Sequence, residues 1–294
     1  MENGNQISES PSISYFGTNT MLLRDGGSKI LFDPHFTRCA SPMGLPVMFR
    51  RISPDQAAID KYLHKFRIED SDAIIITHSH YDHTLDLPAV ALKTGADVYG
   101  TKSTANIAIG GGVPESKIHI IGGGSKFKIG NFEIEAIRSK HVPLPILIGL
   151  FIGDGTEVSE PFAPPAKASK YREGGVLSFS IKHPKGKAII MSGGPILDTQ
   201  NDLSADIVVV SVGGLVFKAR GYARRLYKNY IRRTGAKKIF ISHWDDFTKP
   251  IEEALQPMIG FYRTMRLLRK FTNYGENASI ARLDLDMEYN LFEQ

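Results

Sequence analysis

Short apolar runs alternate with polar punctuation along the whole chain. Runs rich in β-branched and aromatic residues, bounded by Gly, Asp, Asn or charged residues, predict strands. In the first half they are ISYF at 13–16, TMLL at 20–23, KILF at 29–32, AIII at 73–76, IHII at 118–121 and FEIEAI at 132–137. The second half repeats the pattern with ILIGLF at 146–151, VLSFSI at 176–181, AIIM at 188–191, IVVV at 207–210, KIFI at 238–241 and SIARLDL at 279–285. Three-to-four spacing of apolar positions predicts helices over 55–66, 87–94, 103–109, 221–234 and 254–271, the last with Met258, Phe261, Tyr262, Met265 and Leu268 on one face. Turn signals at Asp25-Gly26-Gly27 and Gly130-Asn131 join neighbouring runs into hairpins, so the sheets are expected to be mixed. Strand-rich halves with interspersed helices imply an α+β fold of two sheets covered by helices.

Two stretches, 36–54 and 155–175, lack periodicity and are rich in Pro, Gly and Ser. They read as loop insertions, either walling an active site or standing free of it. No composition break marks a linker, so one domain over 1–294 is expected. At 294 residues and 42% hydrophobic content the chain can bury a large core. Its net charge of +5 is spread along the sequence and does not by itself argue for nucleic acid. Cys39 is the single cysteine, which excludes an internal disulfide framework and a multi-cysteine zinc site. A bound metal must therefore use His and carboxylates. No window has the apolar length of a membrane span, and the polar start MENGNQISESPS lacks the apolar stretch of an export signal; the expected location is cytoplasmic, the alternative being an exported protein whose signal has been trimmed.

The candidate chemistry sits where AIII runs into Thr77, His78, Ser79, His80, Tyr81, Asp82 and His83. His78 and His80, two apart on a chain leaving a strand, can face the same side and grip one ion. Asp82 and His83 follow where the chain turns toward a helix, with Asp86 expected as its cap and Pro88 in its first turn. Gathering three imidazoles and a carboxylate in one place costs desolvation and like-charge repulsion that a metal offsets.

An HxHxDH motif after a buried strand resembles the signature of the metallo-β-lactamase fold. Other segments match that family in order: LFDPHF with Asp33 and Pro34, SKHVPLP with His141, AIIMSGGP, and KIFISHWDDF with His243. DPHFTRCASP and HSHYDHTLDLP resemble the branch containing N-acylphosphatidylethanolamine phospholipase D and its bacterial relatives, while HWDDF is similar to the ascorbate-6-phosphate lactonase type. The resemblance implies a four-layer αββα sandwich. It further implies His78, His80 and His141 as ligands of one zinc and Asp82, His83 and His243 as ligands of a second, with iron and manganese compatible with the same donors. In many binuclear relatives an aspartate after the strand resembling AIIMSG bridges the metals; here that position is Gly194. Asp198, four residues on, either reaches back or caps a loop.

The resemblance implies a metal-dependent hydrolase in which a hydroxide on the metals attacks a phosphodiester, phospholipid-like, lactone or ester substrate, with Asp82 orienting the nucleophile. The alternative is a degenerate member of the fold that binds metal or ligand without turnover, and a lesser one is a nuclease. Asp33 is expected to orient the metal loop, and His35 is a candidate for supporting it or touching substrate. Trp244 either lines the pocket or fills the core, and Asp245 and Asp246 either donate a proton or cap and pair locally. Basic residues from Lys218 to Lys238, with only Tyr222, Tyr227 and Tyr230 interleaved, read as a solvated face. The apolar stripe of 254–271 would cover a core, or touch a membrane surface or an acyl chain.

Overall fold

The computed structural model describes residues 10–39, 47, 50–144, 149–150, 152–193, 196–197, 203–251, 254–272 and 278–292. Two mixed sheets pack face to face. The first contains β1 (Ser12–Gly17), β2 (Thr20–Arg24), β3 (Lys29–Phe32), β5 (Ala73–Ile75), β6 (Asp97–Gly100), β7 (Ile118–Ile120) and β17 (Glu288–Asn290), in the order β17-β1-β2-β3-β5-β6-β7. The second runs β13-β9-β11-β12-β14-β15-β16, with β8 (Lys126–Ile129) also paired to β9. Its members are β9 (Phe132–Lys140), β11 (Val176–His183), β12 (Gly186–Met191), β13 (Ile196–Leu197), β14 (Ile207–Ser211), β15 (Lys238–Ser242) and β16 (Ser279–Arg282).

Each sheet is antiparallel in one half and parallel in the other. β1, β2 and β3 form a meander, after which β3, β5, β6 and β7 run parallel. Likewise β9, β11 and β12 are antiparallel, and β12, β14, β15 and β16 parallel. The meander turn follows from Asp25, whose Oδ1 accepts from the backbone N–H groups of Gly27 and Ser28 while Gly26 takes φ 82°.

The sheets meet through residues such as Phe32 and Phe179, whose rings lie edge to face at 5.9 Å. Strands β5 and β14 are buried throughout, as expected when one face meets the other sheet and the other is covered by helices. On the first side lie α1 (Gln56–Phe66), α2 (Tyr81–Thr84), α3 (Leu87–Thr94) and α4 (Lys102–Gly110); α5 (Arg220–Leu226) and α6 (Phe261–Thr272) pack together by the second sheet. Asp55 caps α1 by accepting from Ala58 N at 3.0 Å, and Thr101 caps α4. Among the described residues, no helix is long and apolar enough to cross a membrane.

The two aperiodic stretches meet each other. β4 (Arg51–Ile52) pairs antiparallel with β10 (Ala166–Lys167), and a small cluster of Ile52, Val158, Ala166, Ala168 and Tyr171 packs with Tyr81, Leu85 and Ile107. They therefore buttress the turn after β5 from behind.

Three expectations need correction. ILIGLF is not a strand where it is described: Gly149, Leu150 and Ile152 are helical, and Asp154 N closes back on Gly149 O at 3.0 Å. A short apolar run does not distinguish strand from helix by periodicity. The helix expected from 254 begins only at Phe261. Before it, Pro257 bridges Asp245, and Met258 N donates to Trp244 O, so the segment spends its backbone bonds on the strand end beside it. The apolar stripe does face the core, through Phe261, Met265 and Leu268. Finally, Asp86 makes no cap bond to α3; its Oδ2 accepts instead from Phe36 N and Thr37 N at 2.6 and 2.7 Å.

Candidate metal centre

The carboxyl ends of β5, β9 and β15 converge on one cleft. The turn after β5 delivers His78, His80, Asp82 and His83, the residue after β9 is His141, and the residue after β15 is His243. Candidate donor atoms of His78, His80 and His141 all lie within 4.8 Å of one another, and those of Asp82, His83 and His243 do likewise. Residues up to 161 positions apart in sequence thus form two adjacent groups of three. The gathering requires a bend at each strand end: His243 takes φ 53°, a left-handed conformation costly for a side-chain-bearing residue. A Cβ on Gly213 would come within 2.9 Å of His243 Nδ1, so glycine there leaves room for the ring.

Their environments differ. Burial, then the neighbouring imidazoles, hold His78 and His80 well below the ordinary histidine pKa. Burial also lowers His141, against the pull of Asp154. His141 Nδ1 donates to Val142 O at 2.9 Å, leaving Nε2 as its acceptor. In the second group burial opposes charge on Asp82 and His83, but mutual attraction wins. His83 and His243 hold the Asp82 carboxyl far below its usual range, and Asp33 and Asp82 raise His83. Asp82 Oδ2 lies 3.3 Å from His243 Nε2 and 3.6 Å from His83 Nε2.

Asp33 organises the floor. Its Oδ2 accepts from His83 Nδ1 at 2.8 Å, from Asn19 Nδ2 at 2.6 Å and from Thr77 Oγ1 at 2.6 Å, and its Oδ1 accepts from Thr77 N at 2.8 Å. Ser192 Oγ donates to Thr77 Oγ1, and Ser242 Oγ donates to Asn19 Oδ1. The network therefore links ends of β3, β5, β12 and β15. Asp33 itself sits at φ 42° and is fully buried.

The remaining candidates separate. His35 is fully buried beneath Tyr81, their rings edge to face at 6.2 Å, and neither ring nitrogen has a partner among the described residues. Trp244 is core: Nε1 donates to Leu283 O at 2.7 Å, and the ring packs between Tyr15 and Phe261. It does not line the cleft. Asp245 pairs with the buried Arg38 at 3.0 Å and accepts from Tyr15 OH and Thr18 N, while Asp246 accepts from Thr248 in the next turn. Both aspartates are thus occupied locally. Asp198 and Gly194 lie outside the described residues. Burial pushes the Cys39 thiol up to about 11, and Cys39 belongs to neither group of donors.

Sequence reasoning missed Asn19, Thr77, Ser192 and Asp154. Asp154 Oδ1 lies 4.0 Å from His80 Nε2, and each of these buried atoms lacks a hydrogen-bond partner among the described residues. The Gly-Asp-Gly turn at 153–155 was visible only as a loop signal. Above the six donors the cleft measures about 870 Å³ including its open mouth, lined further by Tyr81, Leu144, Ile152, Phe217 and Phe247.

Residues 14–169 match the model of the metallo-beta-lactamase superfamily, and the chain belongs to that superfamily. A UPF0173 metal-dependent hydrolase of Myxococcus xanthus is 26% identical over 130 residues, 44% of this chain and 38% of that protein. A UPF0173 protein of Pyrococcus abyssi is 28% identical over 143 residues, 48% of this chain and 55% of that protein. The matches thus span about half or less of those relatives' length. Among solved structures, Igni18, a metallo hydrolase from Ignicoccus hospitalis, shares the fold with a TM-score of 0.57 at 14% identity, over 96% of this chain and 99% of that one. An isothiocyanate hydrolase from Delia radicum gut bacteria shares it with a TM-score of 0.56 at 15% identity, over 96% and 99%.

Proposed function

We propose that this chain is a metal-dependent hydrolase that holds one divalent ion on His78, His80 and His141 and a second on Asp82, His83 and His243, with zinc the first choice. The observation carrying this reading is the six-donor arrangement itself, two groups each within 4.8 Å on the floor of an open cleft. The donors suit the ions. Three imidazoles kept neutral by burial present lone pairs rather than protons, and an ionised carboxylate with two further imidazoles adds the charge of the second site. The names of curated relatives as metal-dependent hydrolases support the same reading.

When bound, such ions supply Lewis acidity and lower the pKa of water. The chain's own residues do the rest. Asp82, ionised and aimed between His83 and His243, orients the attacking water. Asp33 fixes the His83 ring by accepting from Nδ1–H, which leaves Nε2 to face the cleft. The substrate is an ester, lactone or phosphodiester of a small or lipid-like molecule.

Metal content per chain, measured on protein purified without chelator or metal-binding tag, together with turnover of p-nitrophenyl esters and bis(p-nitrophenyl) phosphate, tests the reading. About two ions per chain and turnover that falls to background in Asp82→Ala and His80→Ala are expected. Metal bound without turnover of any substrate would favour a degenerate binding protein, for which the Gly194 position, lacking the carboxylate implied by the family resemblance, is the sequence observation. No metal after zinc loading would overturn both.

A further inference from the structure

Beyond the six donors, the walls of the cleft are mainly apolar, with Tyr81 and Ser211 the hydroxyl-bearing residues among them. Leu144 and Ile152 form one side, Phe217 and Phe247 contribute aromatic surface, and Gly213 and Gly214 leave space between them. No Lys or Arg lines the cleft among the described residues; Asp82 supplies the carboxylate of its lining, and Asp154 stands at its edge, 4.0 Å from His80 Nε2. The described residues around Leu144, Ile152 and Phe217, 142–144, 149–150, 152 and 211–217, contain no charged residue, and Asp245 and Asp246 beside Phe247 are bound to Arg38 and Thr248. The first basic side chain after Phe217, Lys218, places its ammonium over the Tyr222 ring at 5.6 Å. The apolar wall reaches solvent at Phe217, which is 50% exposed.

An anionic group placed beyond the reacting centre would lose water against these walls and gain no counter-charge. An alkyl or aryl group would instead bury apolar area along them. We infer that the cleft takes a carboxylic ester or lactone whose acyl or aryl portion beyond the scissile bond is uncharged and apolar. The inference rests on the hydrolase reading above and narrows it. The reaction adds the oxygen of water to the acyl carbon and breaks the acyl carbon–oxygen bond. The leaving alkoxide takes one proton from the water, and the second is released as the carboxylic acid product ionises.

The test uses the full chain loaded with zinc, assayed on p-nitrophenyl acetate, butyrate and octanoate and on bis(p-nitrophenyl) phosphate. Binding of 2-butanone, 2-pentanone and 2-heptanone, uncharged and non-hydrolysable, is measured in parallel by calorimetry. Ketone affinity is expected to rise about four-fold per added methylene, the full value of its burial, and kcat/KM is expected to rise from acetate to octanoate. Phe217→Ala should flatten both series, and Phe217→Arg should shift the ratio of phosphodiester to octanoate turnover upward by about ten-fold or more, with metal content and Tm reporting that the variants are folded and loaded. A flat ketone series, or kcat/KM that does not rise from acetate to octanoate, overturns the inference while leaving the hydrolase reading intact. A steep, Phe217-dependent ketone series with no turnover of any ester or of the phosphodiester overturns the hydrolase reading and upholds the apolar cleft.

Discussion

The Asp82, His83, His243 group and the His78, His80, His141 group share one turn after β5 yet are supported in different ways. Behind the former lies a closed lattice: Asp33 accepts four hydrogen bonds, and Asn19, Thr77, Ser192 and Ser242 are tied into it. The latter has burial, a backbone bond at His141, and Asp154 at the cleft edge. One is held by a polar network with its charges already paired. The other consists of neutral imidazoles whose mutual approach is offset only when a ligand takes their lone pairs.

The largest expected effect falls on the lattice. Asp33→Ala leaves four buried donors without their acceptor and should destabilise the protein by roughly 3–5 kcal/mol, read by denaturant unfolding. Asp33→Asn tolerates the left-handed backbone and isolates the charge; it should weaken the second ion by about 10–100-fold while sparing the first, as metal titration would show. Equal weakening of both ions would erase the contrast drawn between the groups.

Asp154→Asn probes the other side. Its carboxylate stands 4.0 Å from His80 Nε2, longer than a hydrogen bond, so about a ten-fold loss confined to the first ion is expected. A loss at the second ion instead would mean that Asp154 serves the whole cleft.

Protons should sharpen the comparison in the opposite sense. Metal and proton compete for the same imidazole nitrogens, and Asp33 and Asp82, against burial, raise His83, whereas burial lowers His78, His80 and His141. As pH falls from neutral, the second ion should leave before the first, in metal content measured across the acid range. Release in the reverse order would show that the paired charge of Asp82 outweighs proton competition.

The smallest effect concerns Asp86, which ties the segment after Asp33 to α3. Burial raises its pKa to about 6, against hydrogen bonds from Thr37 and Phe36. From about pH 4 to 6 the folded state holds this proton more firmly than the unfolded chain does, so the group's contribution to stability falls as pH rises through that window. Asp86→Asn should gain on the wild type by on the order of 1–3 kcal/mol across it. A constant difference would mean that the carboxyl is not desolvated.

The turn after β5 was legible because its spacing is local: His78, His80, Asp82 and His83 carry their arrangement within six residues. The sequence also determined most strands, the two hairpins and the capped helix α1, since period, turn residues and caps act over a few positions. It could not decide between strand and helix for ILIGLF, nor foresee that Pro257 would be drawn alongside Asp245, because both depend on which backbone partner lies nearby. Trp244, next to a candidate donor, turned out to fill the core, since the bend at His243 sends consecutive side chains to opposite sides. Asn19, Thr77, Ser192 and Asp154 carry no sequence signal, being ordinary polar residues until two sheets bring them to one point. What tertiary structure alone decided was thus which polar residues join Asp33 in supporting the site and which apolar residues meet to wall it. Both arise from contacts between strand ends far apart in the chain, which no short-range pattern records.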